Sequence, residues 1–150
     1  MTRVLMVLSA AKVWTLKDGT RHPTGFWAEE FVVPYTAFID AGWQVTVATR
    51  DGKTPVVDEL SLGLAGGLPS TTKKMRRNLA RVSAVLEQPV DLEQVSADDF
   101  DLVFYPGGHG PMEDLAYDQS IWGTAAGTVG VRSAFGTALP CPGRGPGDRR

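Results

Sequence analysis

Short apolar runs alternate with longer segments of helical spacing over most of the chain. Residues 3–8, RVLMVL, form an apolar run of strand length, which is typical of a strand buried on both faces of a parallel sheet. Residues 43–49, WQVTVAT, are rich in β-branched side chains, and this composition also favours a strand. A third strand is predicted within DLVFYPGG, residues 101–108.

A first helix is predicted between the first two strands, in TGFWAEEFVVPYTAFIDAG. Thr24 is suited to cap its start and Gly42 to end it, because a hydroxyl can accept from an orphan helix N–H and glycine readily adopts a left-handed conformation. Pro34 inside this segment is expected to kink the helix or loosen one turn. The side chains expected to face the core are Trp27, Phe31, Tyr35 and Phe38.

A second helix is predicted between the second and third strands, in STTKKMRRNLARVSAVLEQP. Its expected start is a cap near Ser70, and its end comes before Pro89, since proline disfavours helical geometry in the residue that precedes it. The resulting order is strand, helix, strand, helix, strand. This order predicts an α/β fold in which helices cover a parallel sheet and the crossovers are right-handed.

Size and charge restrict the class of protein. The chain has 150 residues and a net charge of -2, so one domain is expected, and neither nucleic acid nor an anionic membrane is required as a partner. No apolar stretch approaches the roughly 18 residues that a membrane span needs. Cys141 is the single cysteine, which excludes an internal disulfide and a cysteine-cluster metal site. We therefore expect a cytoplasmic protein.

The composition changes near Gln119. Of the 17 acidic residues, only Asp148 follows this point, and the remaining segment is rich in Gly, Ala, Pro and Arg without a helical or strand period. The prediction is a domain over residues 1–118 and an atypical tail over residues 119–150. This tail is expected either to be disordered or to result from reading the gene out of frame.

The turn PGGHG, residues 106–110, directly follows the third predicted strand. Ligands of open parallel sheets bind beyond the carboxyl ends of the strands. Glycines in such a turn allow backbone N–H groups to approach a substrate, and one donor aimed at an oxyanion contributes about 10²–10³ in rate. The alternative is that Gly107, Gly108 and Gly110 only make a tight turn.

Four pieces of the chain together resemble the ThiJ/PfpI family of the class I glutamine amidotransferase-like superfamily. They are RVLMVLSA, HPTGFWAEEFVVPYTAFIDAGWQVTVAT, DELSL and DDFDLVFYPGGHGPMEDLAYD. The resemblance covers residues 3–118 and implies a flavodoxin-like three-layer sandwich whose C-terminal part is missing. It is strongest to the branch that contains cofactor-independent glyoxalase III enzymes, protein deglycases and holding chaperones.

This resemblance implies an activity and its partners. The reaction is conversion of methylglyoxal-type 2-oxoaldehydes to 2-hydroxy acids, or removal of the same adducts from glycated proteins, with no metal or organic cofactor. Complete relatives are commonly homodimers. The alternatives are a non-catalytic holding chaperone and an amidotransferase-like or protease-like hydrolase, so the enzyme class is either a lyase or a hydrolase.

The resemblance also assigns the candidate site residues. In this resemblance, the spacing from TG to P in TGFWAEEFVVP places Glu30, rather than Glu29, at the position of the acid/base. A carboxyl group in a partly dry pocket can exchange protons near neutral pH. Gly108 would be the backbone oxyanion donor, and the pocket would include His109 together with Gly107 and Gly110. The competing interpretations are two solvated glutamates on a helix surface and a histidine that only forms structural hydrogen bonds.

The chain departs from the family at the nucleophile. The family places a cysteine followed by histidine on a strand-to-helix elbow, and no such pair occurs in this sequence. Cys141 lies in LPCPGRG, between two prolines and without a following histidine, so it does not correspond to that nucleophile. Because loss of a nucleophile can cost about 10⁶ in rate, we expect the 150-residue chain to be inactive or nearly so.

Limited proteolysis tests the predicted boundary. We expect cleavage within residues 119–150 before cleavage elsewhere, because a segment rich in Gly and Pro without a hydrophobic period offers little burial to protect its backbone. Mass spectrometry of the fragments would locate the sites. Preferential cleavage within residues 1–118, with an intact C-terminus, would contradict the boundary.

Overall fold

Parallel strands form the main sheet of the computed structural model, which describes residues 1–116. The described strands are β1 (Arg3–Leu8), β2 (Val13–Thr15), β3 (Arg21–Pro23), β4 (Gln44–Thr49), β5 (Val90–Asp91) and β6 (Leu102–Phe104). The main sheet has the order β5-β4-β1-β6. Every pairing in it is parallel, which confirms the predicted sheet. Residues 119–150, including Cys141, lie outside the described residues.

Helices cover one face of this sheet. They are α1 (Ala28–Asp40), α2 (Pro69–Arg81) and α3 (Ser83–Glu87), while the short α4 (Pro111–Asp114) follows β6. The core on this face joins alternate side chains of β1 to α1, α2 and α3; its members include Val4, Met6, Leu8, Phe31, Val32, Met75 and Leu86. The order of elements gives the flavodoxin-like α/β fold that the sequence predicts.

The opposite face of the sheet has a smaller core. Leu5 and Val7 of β1 cluster there with the buried Ala48 and Leu115, and partly buried residues from the segment between β5 and β6, from β6 and from the residue after it complete the cluster. Val4 to Leu8 are therefore buried on both sides of the sheet. This burial explains why an apolar run without alternation forms a central strand.

The start of α1 differs from the sequence prediction. The helix begins at Ala28, after Trp27, so Thr24 is not its cap. Thr24 is buried, and the extended segment that follows it forms β-bridges from Phe26 to Val57 and to Gly108. Because Phe26 pairs with distant segments, these residues stay extended, and the helix begins about one turn later in the sequence than predicted. The predicted end at Gly42 is confirmed, and the helix continues through Pro34.

The second helix begins one residue before the predicted cap and is interrupted before its predicted end. Pro69 is the first residue of α2, where its missing N–H needs no partner, so Ser70 lies inside the helix instead of capping it. The predicted single helix is divided at Val82, and α3 follows from Ser83 to Glu87. The prediction that helical structure ends before Pro89 is confirmed.

A small hairpin was not predicted. Strands β2 and β3 pair antiparallel within a segment that the sequence presents as a polar loop, because three-residue strands are too short for a clear alternation of polar and apolar side chains. In the part of the chain that the structure describes, no helix is both long and apolar enough to cross a membrane.

The close approach at Gly25 gives a test of this packing. A Cβ on Gly25 would lie 2.7 Å from the Asp58 amide nitrogen and closer still to the carbonyl oxygen of Val56. We expect Gly25→Ala to destabilise the fold by about 1–3 kcal/mol through overpacking. Urea unfolding would measure the change.

Gly63→Ala is the matched control, since a Cβ there meets its nearest atom, the Leu60 oxygen, at an ordinary 3.6 Å. Equal unfolding midpoints for the two variants would contradict the packing of residues 25 and 56–58.

Candidate functional site

The glycine turn lies against the segment that leads into α1. It follows β6, which pairs with β1, and its first residue, Pro106, is fully buried. The amide of Trp27 donates to the carbonyl oxygen of Gly107 at 3.0 Å, and Phe26 bridges to Gly108. The beginning of α1 and the turn after β6 are therefore held together by backbone pairing.

Glu30 reaches this turn from the first turn of α1. Its Oε2 accepts a hydrogen bond of 2.7 Å from the Gly107 amide, and the side chain is half-buried, whereas Glu29 is exposed. A carboxylate acceptor makes this bond stronger than an ordinary amide–carbonyl bond. The structure thus brings Glu30, and not Glu29, to the turn, while its acid/base role stays a prediction.

The glycines of the turn are required by space, and Gly108 also by its backbone conformation. A Cβ on Gly107 would collide with the Glu30 carboxylate, and one on Gly110 would lie 2.6 Å from Oγ of Ser9 at the end of β1. Gly108 has φ +134 and lies against the Gly25 carbonyl oxygen. These close approaches agree with a tight turn, and the oxyanion role of Gly108 stays a prediction.

His109 contacts two residues that the sequence analysis did not single out. Its ring stacks on Trp14 of β2, with centroids 5.0 Å apart and planes inclined by 10°. On another side, its Nδ1 lies 3.9 Å from Oδ2 of Asp58. His22 is exposed, and its Nδ1 lies 2.8 Å from the Pro23 carbonyl oxygen.

Asp58 and Ser61 position the start of α1. The Asp58 carboxylate accepts a hydrogen bond from the Leu60 amide and caps the 3-10 turn Glu59–Leu62. Ser61 Oγ in turn accepts from the amide of Ala28, the first residue of α1, at 3.1 Å. Both residues belong to the piece DELSL that supported the family resemblance.

The acids of α4 fix the β2–β3 hairpin beside the turn. Glu113 accepts from the backbone and the hydroxyl of Thr15, and these two hydrogen bonds, helped by the nearby Arg21, lower the pKa of its carboxyl group. Oδ2 of Asp114 accepts from the amides of Ala10 and Ala11. Trp14 is thereby held over His109.

Two cavities of about 430 and 310 Å³ occur among the described residues, but neither is lined by Glu30 or by the glycine turn. The larger lies between α2, α3 and residues 54–62, and the smaller lies beside the hairpin. Among the described residues, His109 is exposed and Glu30 is half-buried. Cys141, which does not correspond to the nucleophile of the family, lies outside the described residues.

One family model and several solved structures match this chain. A family model described as ThiJ/PfpI family-like matches residues 22–123. A crystallised protein designated APC35852 is 35% identical with a TM-score of 0.57, over 79% of this chain and 48% of that chain. A search of curated proteins gives no significant match.

Two further crystal structures share the fold. The 24 kDa Rapid Encystment Protein of Francisella tularensis is 23% identical with a TM-score of 0.65, over 84% of this chain and 53% of that chain. Glyoxalase III from Candida albicans is 22% identical with a TM-score of 0.63, over 83% of this chain and 51% of that chain. The present chain thus spans about half the length of these solved structures.

The bond between Glu30 and Gly107 can be tested through stability. Glu30→Ala leaves the Gly107 amide without its charged acceptor, and we expect a loss of about 1.5–3 kcal/mol. Glu29→Ala changes an exposed residue on the same helical turn, so little change is expected there. Urea unfolding of both variants compares them directly. A larger loss for Glu29→Ala would contradict the placement of the two side chains.

Proposed function

Because this chain belongs to the ThiJ/PfpI family, we propose that residues 1–116 supply the acid/base half of an active site for methylglyoxal-type 2-oxoaldehydes. The observation that carries this proposal is the 2.7 Å hydrogen bond from the Gly107 amide to Oε2 of Glu30. It supports a carboxylate held at the carboxyl end of the sheet, where α/β proteins bind their ligands. The glyoxalase III name of one structural neighbour agrees with this substrate class.

The reaction needs a thiolate and one carboxylate. The thiolate attacks the aldehyde carbon, C1, and the carbonyl oxygen takes up a proton to give a hemithioacetal. Glu30 then removes the proton from C1 and returns it to C2, while the hydroxyl proton on the C1 oxygen passes to the C2 oxygen, which converts the adduct to the thioester of a 2-hydroxy acid. Water hydrolyses the thioester, releasing the acid and regenerating the thiol. The net change is addition of one water to the oxoaldehyde.

The two oxygens of Glu30 are suited to different tasks. Oε2 is occupied by the Gly107 amide, which fixes the carboxylate in place, and Oε1 remains for proton transfer. The amide of Gly108 is the proposed donor to the oxyanion that forms when the thiolate adds. A carboxylate that is already fixed in place increases the reaction rate, because no entropy has to be lost to orient it during the reaction.

The proposal includes the absence of turnover in the 150-residue chain alone. Cys141 is its single thiol and lacks the following histidine, so the sequence offers no activated nucleophile to act with Glu30. Removal of methylglyoxal adducts from proteins uses the same two groups and is part of the same proposal.

A holding chaperone is the second candidate function. Leu64 and Leu68 are 91% and 73% exposed, and exposed apolar residues close together in sequence can bind unfolded clients. Suppression of client aggregation that persists in Glu30→Gln and is lost when both leucines are changed to serine would favour this candidate.

Restoring a nucleophile tests the enzymatic proposal. We expect a chain extended in frame with the family's Cys-His elbow to convert methylglyoxal to lactate without added metal or cofactor. Glu30→Gln keeps the shape of the side chain but removes the proton acceptor, so turnover should fall by about 10²–10⁴. Lactate formation measured over time gives the rate.

Glu29→Gln is the matched control and should retain turnover. If Glu29→Gln were inactive and Glu30→Gln were active, the assignment would be wrong by one residue. Full activity in both variants would exclude a carboxylate acid/base on α1.

A further inference from the structure

Three separate segments converge on the ring of His109. Trp14 comes from the β2–β3 hairpin, Asp58 from the loop before the 3-10 turn Glu59–Leu62, and His109 from the glycine turn. The histidine side chain is 51% exposed, whereas that of Asp58 is 4% exposed. A half-exposed imidazole is thus held between an indole face and a buried carboxylate.

The carboxylate of Asp58 is only half satisfied. Its Oδ1 accepts from the Leu60 amide at 3.0 Å, but Oδ2 is buried and has no hydrogen-bond partner among the described residues. A buried acceptor without a donor costs about 1–3 kcal/mol, and more when it is charged. Oδ2 therefore requires a donor, and Nδ1 of His109 faces it at 3.9 Å.

The stacking on Trp14 determines how this gap can close. A separation of 3.9 Å is too long for a hydrogen bond, which needs about 2.7–3.2 Å, so the ring must move by about 1 Å. Because the two ring planes are inclined by only 10°, His109 can slide along the indole face with little loss of contact. Tilting the ring out of this plane would lose the stacking.

We propose that Asp58 and Trp14 hold His109 as the Nδ1–H tautomer, so that its Nε2 accepts a hydrogen bond from the hydroxyl group of the substrate adduct or the 2-hydroxy product. In a neutral imidazole one nitrogen donates and the other accepts. A proton on Nδ1, directed at Asp58, therefore leaves the Nε2 lone pair on the other side of the ring.

The position of His109 fits this role. It follows by two residues Gly107, whose amide binds Glu30, so its ring and the carboxylate belong to the same turn. The hemithioacetal and the 2-hydroxy acid each carry a hydroxyl group that a lone pair can bind, whereas the starting oxoaldehyde carries none. His109 would then distinguish these species, and Asp58 would be its positioning residue. The inference rests on the proposed function for the identity of the ligand but not for the tautomer.

The tautomer can be measured in the 150-residue chain as it stands. His22 and His109 are its two histidines, so a two-bond ¹H–¹⁵N spectrum of the neutral imidazoles contains two ring systems that variants assign. His22, whose Nδ1 faces the Pro23 carbonyl oxygen, is an internal control. We expect the Nδ1–H tautomer at His109, and an Nε2–H tautomer in the unaltered chain would overturn the proposal whatever the variants do.

Asp58→Asn sharpens the test. Asparagine can keep its oxygen on the Leu60 amide and place an NH₂ group where Oδ2 stood, so the tautomer of His109 should reverse to Nε2–H while His22 does not change. Trp14→Leu should weaken the preference, and Trp14→Phe should restore it because an aromatic face returns. The amide spectrum reports whether each variant is folded. A folded Asp58→Asn protein that keeps the Nδ1–H tautomer would overturn the role of Asp58.

Ligand binding is followed with hydroxyacetone and lactate as hydroxyl probes and with acetone as a control that lacks the hydroxyl group. We expect the ¹⁵N signal of Nε2 to shift with both probes but not with acetone, and the affinity to fall at least about tenfold in Asp58→Asn, the equivalent of about 1.4 kcal/mol. Equal shifts with acetone, or none with the hydroxyl probes, would overturn the binding role.

Glu30→Gln separates this inference from the proposed function. It should lower turnover in the elbow-restored protein by about 10²–10⁴ and leave the tautomer of His109 unchanged. If Glu30→Gln kept full turnover while His109 kept the Nδ1–H tautomer, only the proposed reaction would be refuted. If the tautomer changed in Glu30→Gln, the independent positioning of His109 by Asp58 would be refuted.

Discussion

Burial of β1 on both faces is the constraint on which the candidate site depends. Val4 to Leu8 can be removed from water only if helices cover one face of the sheet, other side chains cover the opposite face, and β4 and β6 pair with β1 on its two sides. Parallel pairing then brings the carboxyl ends of β1 and β6 to one edge. Ser9 and the turn around Gly110 meet there, and α1 crosses close enough for Glu30 to bind Gly107.

Glycines at the contact points allow the segment before α1 and the turn after β6 to approach each other closely. Gly25, Gly107, Gly108 and Gly110 each occupy a place where a Cβ would meet another part of the site within 3 Å. The absence of side chains lets the segment before α1 and the turn after β6 pair directly. The Glu30 carboxylate then supplies the acceptor for Gly107. The two structural roles, close packing and charge placement, are thus combined in one short turn.

The sequence was sufficient for features that repeat along an element. An apolar run of six residues predicted β1 with its observed bounds, and the resemblance selected Glu30 over Glu29, as the geometry places them. The sequence did not predict local structure that is determined by a residue far away in the chain. Thr24 has the chemistry of a helix cap, but the bridges of Phe26 keep the following residues extended. No local sequence pattern identified Asp58 and Trp14, because both are far from His109 in the sequence and meet it only in the folded chain.

The β2–β3 hairpin links these observations physically. Its position depends on acceptors of α4, namely Glu113 for Thr15 and Asp114 for the two residues after Ser9. Because α4 directly follows the glycine turn, the same short stretch of chain presents His109 and anchors the hairpin that carries Trp14. A displacement of α4 would therefore move the ring and its stacking partner together. Asp58 is attached instead to the start of α1 through the Glu59–Leu62 turn. Because the start of α1 is itself paired with the glycine turn, the hairpin and Asp58 contact His109 from two elements that this turn joins.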